Sequence, residues 1–197
     1  MLQKRSTLMR RKQIVNAVGK LIIKYGSERV TVRRIAKEIG TSESAIYRHF
    51  RSKKDILSFL IDDIESSLLS EIELGTDHSC TLQTLESLFM NHMSRIVQTR
   101  GVSFQVIAEI VSLGDKKLNK KVYEAISRYT NRVRDILAEG VKAGVVRQDV
   151  DLDAMSTLFF GMTQGLVNIW TLSQYQFNLE QKYASLWAIF REAATGR

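Results

Sequence analysis

Apolar residues recur along this chain at three- and four-residue spacing, which places them on single helical faces rather than on alternating strand faces. The first run puts Ile14, Val18, Leu21, Ile22 and Tyr25 together and stops at Gly26. A short second run holds Val32, Ile35, Ala36 and Ile39 and stops at Gly40, and only Thr41 and Ser42 separate it from a third with Ala45, Ile46 and Phe50. Beyond Ser52 the periodic stretches lengthen. Ile56, Leu57, Leu60, Ile61, Ile64 and Leu68 mark a connecting helix that ends near Gly75. Further helices are predicted on Leu82 to Ile96, on Phe104 to Val111, on Lys116 to Val141 with a stop near Gly144, from Asp151 or Asp153 to about Leu172, and from Leu179 to Ala194. The expectation is an all-α chain: a three-helix head over residues 1–52 and a longer-helixed body over residues 53–197.

Composition sharpens this picture at two points. Proline is absent, so helices are interrupted only by glycine, polar caps and short polar loops. The formal net charge of +8 is unevenly placed. Residues 1–54 hold 15 Lys and Arg against 3 Asp and Glu, while residues 55–197 hold 14 against 18. The head therefore carries all the excess basicity and points to a polyanionic partner, nucleic acid before an anionic membrane.

Other classes find little support. A lone Cys80 fits a reducing cytoplasm, and no apolar run follows the charged N-terminus as in a secretory signal. Residues 154–179 lack charge and contain Gly161 and Gly165 in a small-xxx-small pattern, which raises a membrane-helix reading. Gln164, Asn168, Gln174, Gln176 and Asn178 dilute that stretch below the hydrophobicity of a spanning segment. No nucleophile and base pair at helical spacing, so the chain is not read as an enzyme and no cofactor is expected. His78 and Cys80 lie close together without enough further ligands for a metal. His92 shares a face with Leu88, Phe89 and Ile96, the setting of a core or pocket histidine.

The head carries the most specific chemistry. Two steeply crossing helices need a small residue at their contact, a residue tolerant of positive φ in the turn, and an apolar plug on the second helix. Ala36, Gly40 and Ile46 fill these places. Ser42 caps the second helix, whose Ser44, Tyr47 and Arg48 share an exposed face opposite Ala45 and Ile46. Thr31 caps a helix opening with Val32, Arg33 and Arg34, and Ser52 caps one opening with Lys53 and Lys54. Cations in a first helical turn oppose the macrodipole, so two such ends beside one recognition helix suggest phosphate seats. Arg48 has the reach to donate to guanine O6 and N7, and Glu43 to accept from a cytosine amine.

The stretch TVRRIAKEIGTSESAIYRHF, residues 31–50, followed by Ser52 and Lys53, resembles the signature of TetR-type regulators over roughly residues 8–57. That resemblance implies phosphate and base contacts on Thr31, Arg33, Ser42, Tyr47, His49 and Lys53. His49 keeps two roles open, a phosphate contact or packing behind the recognition helix. Glu43 stands where the family often has lysine or another polar residue, and Ser44 where it often has glycine.

For the body, the resemblance implies an effector pocket and a four-helix bundle between two copies of the chain. Phe89, His92, Met93, Phe104, Ile107, Met155, Phe159, Met162 and Trp170 are the pliable or aromatic pocket candidates. Thr157, Gly161 and Gly165 form a small-residue stripe, and Leu179, Tyr183, Leu186 and Phe190 an apolar seam, as candidates for the dimer interface. The expected partners are thus an inverted-repeat DNA operator, a second copy and a largely apolar small molecule. The expected function is a ligand-released transcriptional repressor, and its alternative is a related DNA-binding protein whose body takes a protein partner.

Overall fold

The computed structural model describes residues 2–26, 29–74 and 82–196, and among them there are nine α-helices and no strand. They are α1 (Leu2–Tyr25), α2 (Val32–Glu38), α3 (Glu43–Tyr47), α4 (Lys53–Leu74), α5 (Leu82–Thr99), α6 (Val102–Leu113), α7 (Lys116–Lys142), α8 (Leu152–Leu172) and α9 (Leu179–Thr195). The all-α expectation holds. Local chemistry fixes the boundaries. Asp151 accepts from the backbone N–H groups of Asp153 and Ala154, and Asn178 from that of Gln181, so α8 and α9 each begin at a side-chain cap. None of the described helices is long and apolar enough to cross a membrane.

The chain packs as two compact units, neither continuous in sequence. One joins residues 1–64 with 102–123, and the other joins 65–101 with 124–197. In the first, Ile14, Val18, Leu21 and Ile22 of α1 are buried together with Ile35 and Ala36 of α2, Ile46, Phe50, and Ile56, Leu57, Leu60 and Ile61 of α4. Helix α6 adds Phe104, Val106 and Ile110 to the buried set of this unit. The N-terminal helices thus share a unit with α6 and the start of α7, a grouping that periodicity alone does not reveal.

In the second unit α9 packs against α5 and α8. Phe89 of α5, Phe159 of α8, and Tyr183, Trp187 and Phe190 of α9 form one aromatic core, with Phe89 touching the rings of Phe159, Tyr183 and Trp187. Complete burial of such a side chain contributes about 1.5–3 kcal/mol, so this cluster is a principal anchor of the unit. Between α8 and α9, Gln174 and Tyr175 both take left-handed backbone conformations. Trp170 holds that turn, donating from Nε1 to the Phe177 carbonyl at 3.1 Å while its ring meets Tyr175 edge-on.

Candidate nucleic-acid interface and ligand-binding interior

The head is assembled from α2, a tight turn and α3. Thr31 accepts from the Arg34 backbone N–H at 3.3 Å, and Ser42 accepts from that of Ala45 at 3.2 Å. Gly40 sits at φ +67, and the Thr41 N–H returns to the Ala36 carbonyl at 2.9 Å, closing α2 at a residue free of Cβ strain. Ala36 and Ile46 are buried, whereas Ala45 is half-buried rather than fully so. Arg11 of α1 braces the far side, donating to the His49 carbonyl at 3.0 Å with its guanidinium 5.2 Å from the Phe50 ring centre. No local sequence signal marks Arg11 for this task, because its partner lies 38 residues away.

Glu43, Ser44, Tyr47 and Arg48 all stand exposed on α3 and its last turn, and Ser42 and Ser44 share a hydrogen bond at 2.8 Å. Arg33 is exposed as well. Arg34 turns back, its guanidinium donating to the Arg29 carbonyl at 3.2 Å and lying 5.0 Å from the Tyr25 ring centre. His49 is half-buried. Burial and the nearby Arg10, Arg11 and Arg48 hold its pKa below the ordinary histidine value, so in the free chain near pH 7 it is a neutral imidazole.

The α4 end differs from its sequence reading. Ser52 does cap the helix, accepting from the Asp55 N–H at 3.2 Å, but the cations beside it are engaged with carboxylates. Lys53 donates to Glu109 of α6 at 2.7 Å, and the Glu109 side chain is only 11% exposed. Lys54 donates to Asp115 at 2.6 Å. That bond, with the Leu118 N–H, lowers the Asp115 pKa, and Asp115 in turn caps α7. Further along, Lys121 of α7 reaches both Ser58 and Asp62 of α4. The expected phosphate seat is therefore, in the free chain, one end of a ladder tying α4 to α6 and α7.

The pocket candidates fall into both units. Phe104 and Ile107 lie on α6 in the first; the other candidates lie in the second. There Phe89, Met93, Met155 and Phe159 are buried, while His92 and Met162 are half-buried. The His92 ring is 6.4 Å from that of Tyr129. Trp170 is buried and engaged with the α8–α9 turn described above. Trp187 was not among the sequence candidates; its four-residue spacing from Tyr183 was the available signal. His78 and Cys80 lie outside the described residues. Among the described residues, no three His, Cys, Asp or Glu side chains gather as a metal site.

The dimer candidates divide cleanly by helix. On α8, Thr157, Gly161 and Gly165 face outward, and the same stripe carries Leu158, Ile169 and Leu172 at 47%, 60% and 84% exposure. On α9 the seam needs correction. Leu179, Tyr183 and Phe190 are buried in their own unit and Leu186 is half-buried, because this face covers α5 and α8. The outward face of α9 instead carries Ser185, Ala188 and Ile189, the last 63% exposed.

Comparison with known proteins is consistent along the whole chain. Residues 14–58 match the family model of bacterial regulatory proteins of the tetR family, and residues 54–193 match that of the YsiA-like protein C-terminal region. The chain is 25% identical over 180 residues to the fatty acid metabolism regulator protein of Bacillus subtilis, covering 91% of each. It is 24% identical over 182 residues to the nucleoid occlusion factor SlmA of Vibrio cholerae, covering 91% of this chain and 93% of that protein. In fold it resembles the transcriptional regulator FadR of Bacillus subtilis, solved in complex with stearoyl-CoA, at a TM-score of 0.81 and 22% identity over 92% of this chain and 98% of that one.

Proposed function

The chain belongs to the TetR family of bacterial regulatory proteins, and from that membership we propose a homodimeric repressor that leaves its operator when a long-chain acyl thioester enters its body. Residues 1–52 read DNA in this scheme, and residues 53–197 hold the effector and the second copy. The protein acts in the cytoplasm, on the nucleoid when bound to DNA. The observation that carries the effector class is the interior of the second unit, where Phe89 and Phe159 meet the aromatic face of α9 and Met93 and Met155 are buried on the same two helices, α5 and α8. Full-length likeness to a fatty acid metabolism regulator supports the same class.

DNA recognition rests on the exposed face of Ser44, Tyr47 and Arg48, with Glu43, Thr31, Arg33 and Ser42 around it. A two-fold dimer presents this face twice and so selects an inverted repeat with half-sites about one helical turn apart or a multiple of that. Log affinity is expected to fall linearly and steeply with log salt, since the head neutralises several phosphates. Arg48→Ala should relax base preference at one position of each half-site and cost about 1–3 kcal/mol there. Sequence selection from a random library with both proteins checks this, and an unchanged preferred sequence contradicts the role of Arg48.

The effector is tested by fluorescence anisotropy on the selected operator, with stearoyl-CoA as ligand and free coenzyme A as control. Stearoyl-CoA is expected to weaken operator binding at least about tenfold, and operator to weaken stearoyl-CoA binding by the same factor, because the coupling is reciprocal. If the thioester binds and operator affinity stays put, the release mechanism fails. Likeness to SlmA, a nucleoid occlusion factor, then favours the second reading, a body that engages a protein partner.

A further inference from the structure

Two hydrogen-bond donors in the aromatic core of the second unit have no partner. The Tyr183 hydroxyl and the Trp187 Nε1 are both buried without a hydrogen bond, in residues 0% and 4% exposed. They are four residues apart on α9, hence on one face, and both rings lie against Phe89, with centroids 3.4 and 5.3 Å from its own. Thr163 interacts with the Tyr183 phenol from α8, but its hydroxyl donates to the Phe159 carbonyl at 3.1 Å and makes no hydrogen bond of ordinary length to the phenol. Buried donors are nearly always satisfied, and two neighbouring exceptions on one helix face call for a specific acceptor. Burial pushes the Tyr183 phenol well above its ordinary pKa, so it remains a proton donor at any physiological pH.

We propose that Tyr183 and Trp187 form a recognition point for a neutral carbonyl oxygen on an otherwise apolar ligand, a ketone, ester or thioester rather than a carboxylate. The inference rests on the reading of the body as an effector-binding unit and narrows the chemistry of that effector. A carbonyl oxygen has two lone pairs and no charge to desolvate, which matches two neutral donors in an apolar wall. A carboxylate needs a cation to offset its desolvation, and two neutral donors in an aromatic wall do not supply one. Phe89 and Phe159 supply the apolar surface for the carbon skeleton on either side. Tyr183 fills the site in the free chain by stacking on Phe89, and ligand entry requires these rings to separate.

The test uses the full-length protein and three probes of equal chain length, methyl nonyl ketone, n-undecane and undecanoate, titrated by calorimetry. The ketone should bind best. Tyr183→Phe and Trp187→Phe should each lower the ketone-to-undecane affinity ratio about tenfold, the worth of a buried hydrogen bond. In the free protein Tyr183→Phe should hold or raise the melting temperature, because it deletes a polar group that has no partner. A lowered melting temperature with an unaltered ketone-to-alkane ratio means the hydroxyl is satisfied by an ordered water, and overturns the proposal. So does undecanoate binding more tightly than the ketone. If instead stearoyl-CoA releases operator equally from wild type and Tyr183→Phe, the carbonyl site is wrong while the effector reading stands.

Discussion

Gly165→Leu is expected to leave the chain folded but monomeric, and to lower operator affinity by about two orders of magnitude, the avidity lost when two linked heads bind separately. The substitution is clean because a Cβ built at Gly165, or at Gly161, meets nothing within 4 Å. Thermal melting of the variant separates a defect between copies from one within a single copy. The stripe around these glycines carries Leu158, Ile169 and Leu172, and the neighbouring face of α9 carries Ile189, all exposed. Small residues flanked by such side chains let two helices approach closely, and a leucine at the point of approach holds them apart. Sedimentation equilibrium, thermal melting and operator anisotropy on the variant and wild type check the three parts together. A Gly165→Leu protein that remains dimeric at micromolar concentration places the interface elsewhere.

The second large effect is expected at a residue that makes no DNA contact. Glu109→Gln should strengthen operator binding about tenfold at moderate salt and steepen the log–log salt dependence by about 0.9 per head, one phosphate's worth. In the free chain the Lys53 ammonium lies 2.7 Å from Glu109, whose carboxylate is almost wholly enclosed. Moving Lys53 to a phosphate takes its ammonium out of this ion pair, so Glu109 competes with DNA for Lys53 for as long as it is charged. Glutamine keeps the shape and removes the competition. Lys53→Ala in the Glu109→Gln background should then restore the wild-type slope. A Glu109→Gln protein with weaker operator binding would mean the pair positions α4 for DNA, and Lys53 would keep no phosphate role of its own.

Much of this protein is written locally in its sequence. Helix starts at Thr31, Ser42, Ser52, Asp151 and Asn178 are set by side chains that accept from backbone N–H groups two or three residues on. The stop at Gly40 and the Ala36 and Ile46 contact follow from the same short range, so the helix-turn-helix is legible in the sequence itself. Periodicity likewise located the apolar faces of α5, α8 and α9. It is silent on what covers a face. Leu179, Tyr183 and Phe190 read as a seam for a second copy, yet α5 and α8 of the same chain cover them, and the outward face of α9 is the less conspicuous one around Ser185, Ala188 and Ile189. Charge placement shows the same limit. A lysine at a capped helix start looks like a phosphate seat until its partner is known, and that partner, Glu109, lies 56 residues along the chain. Sequence alone determined the elements and the chemistry of the head, because caps, turns and periodicity act within a few residues. Only the tertiary structure decided which faces and charges remain available, because that depends on distant segments arriving at the same place.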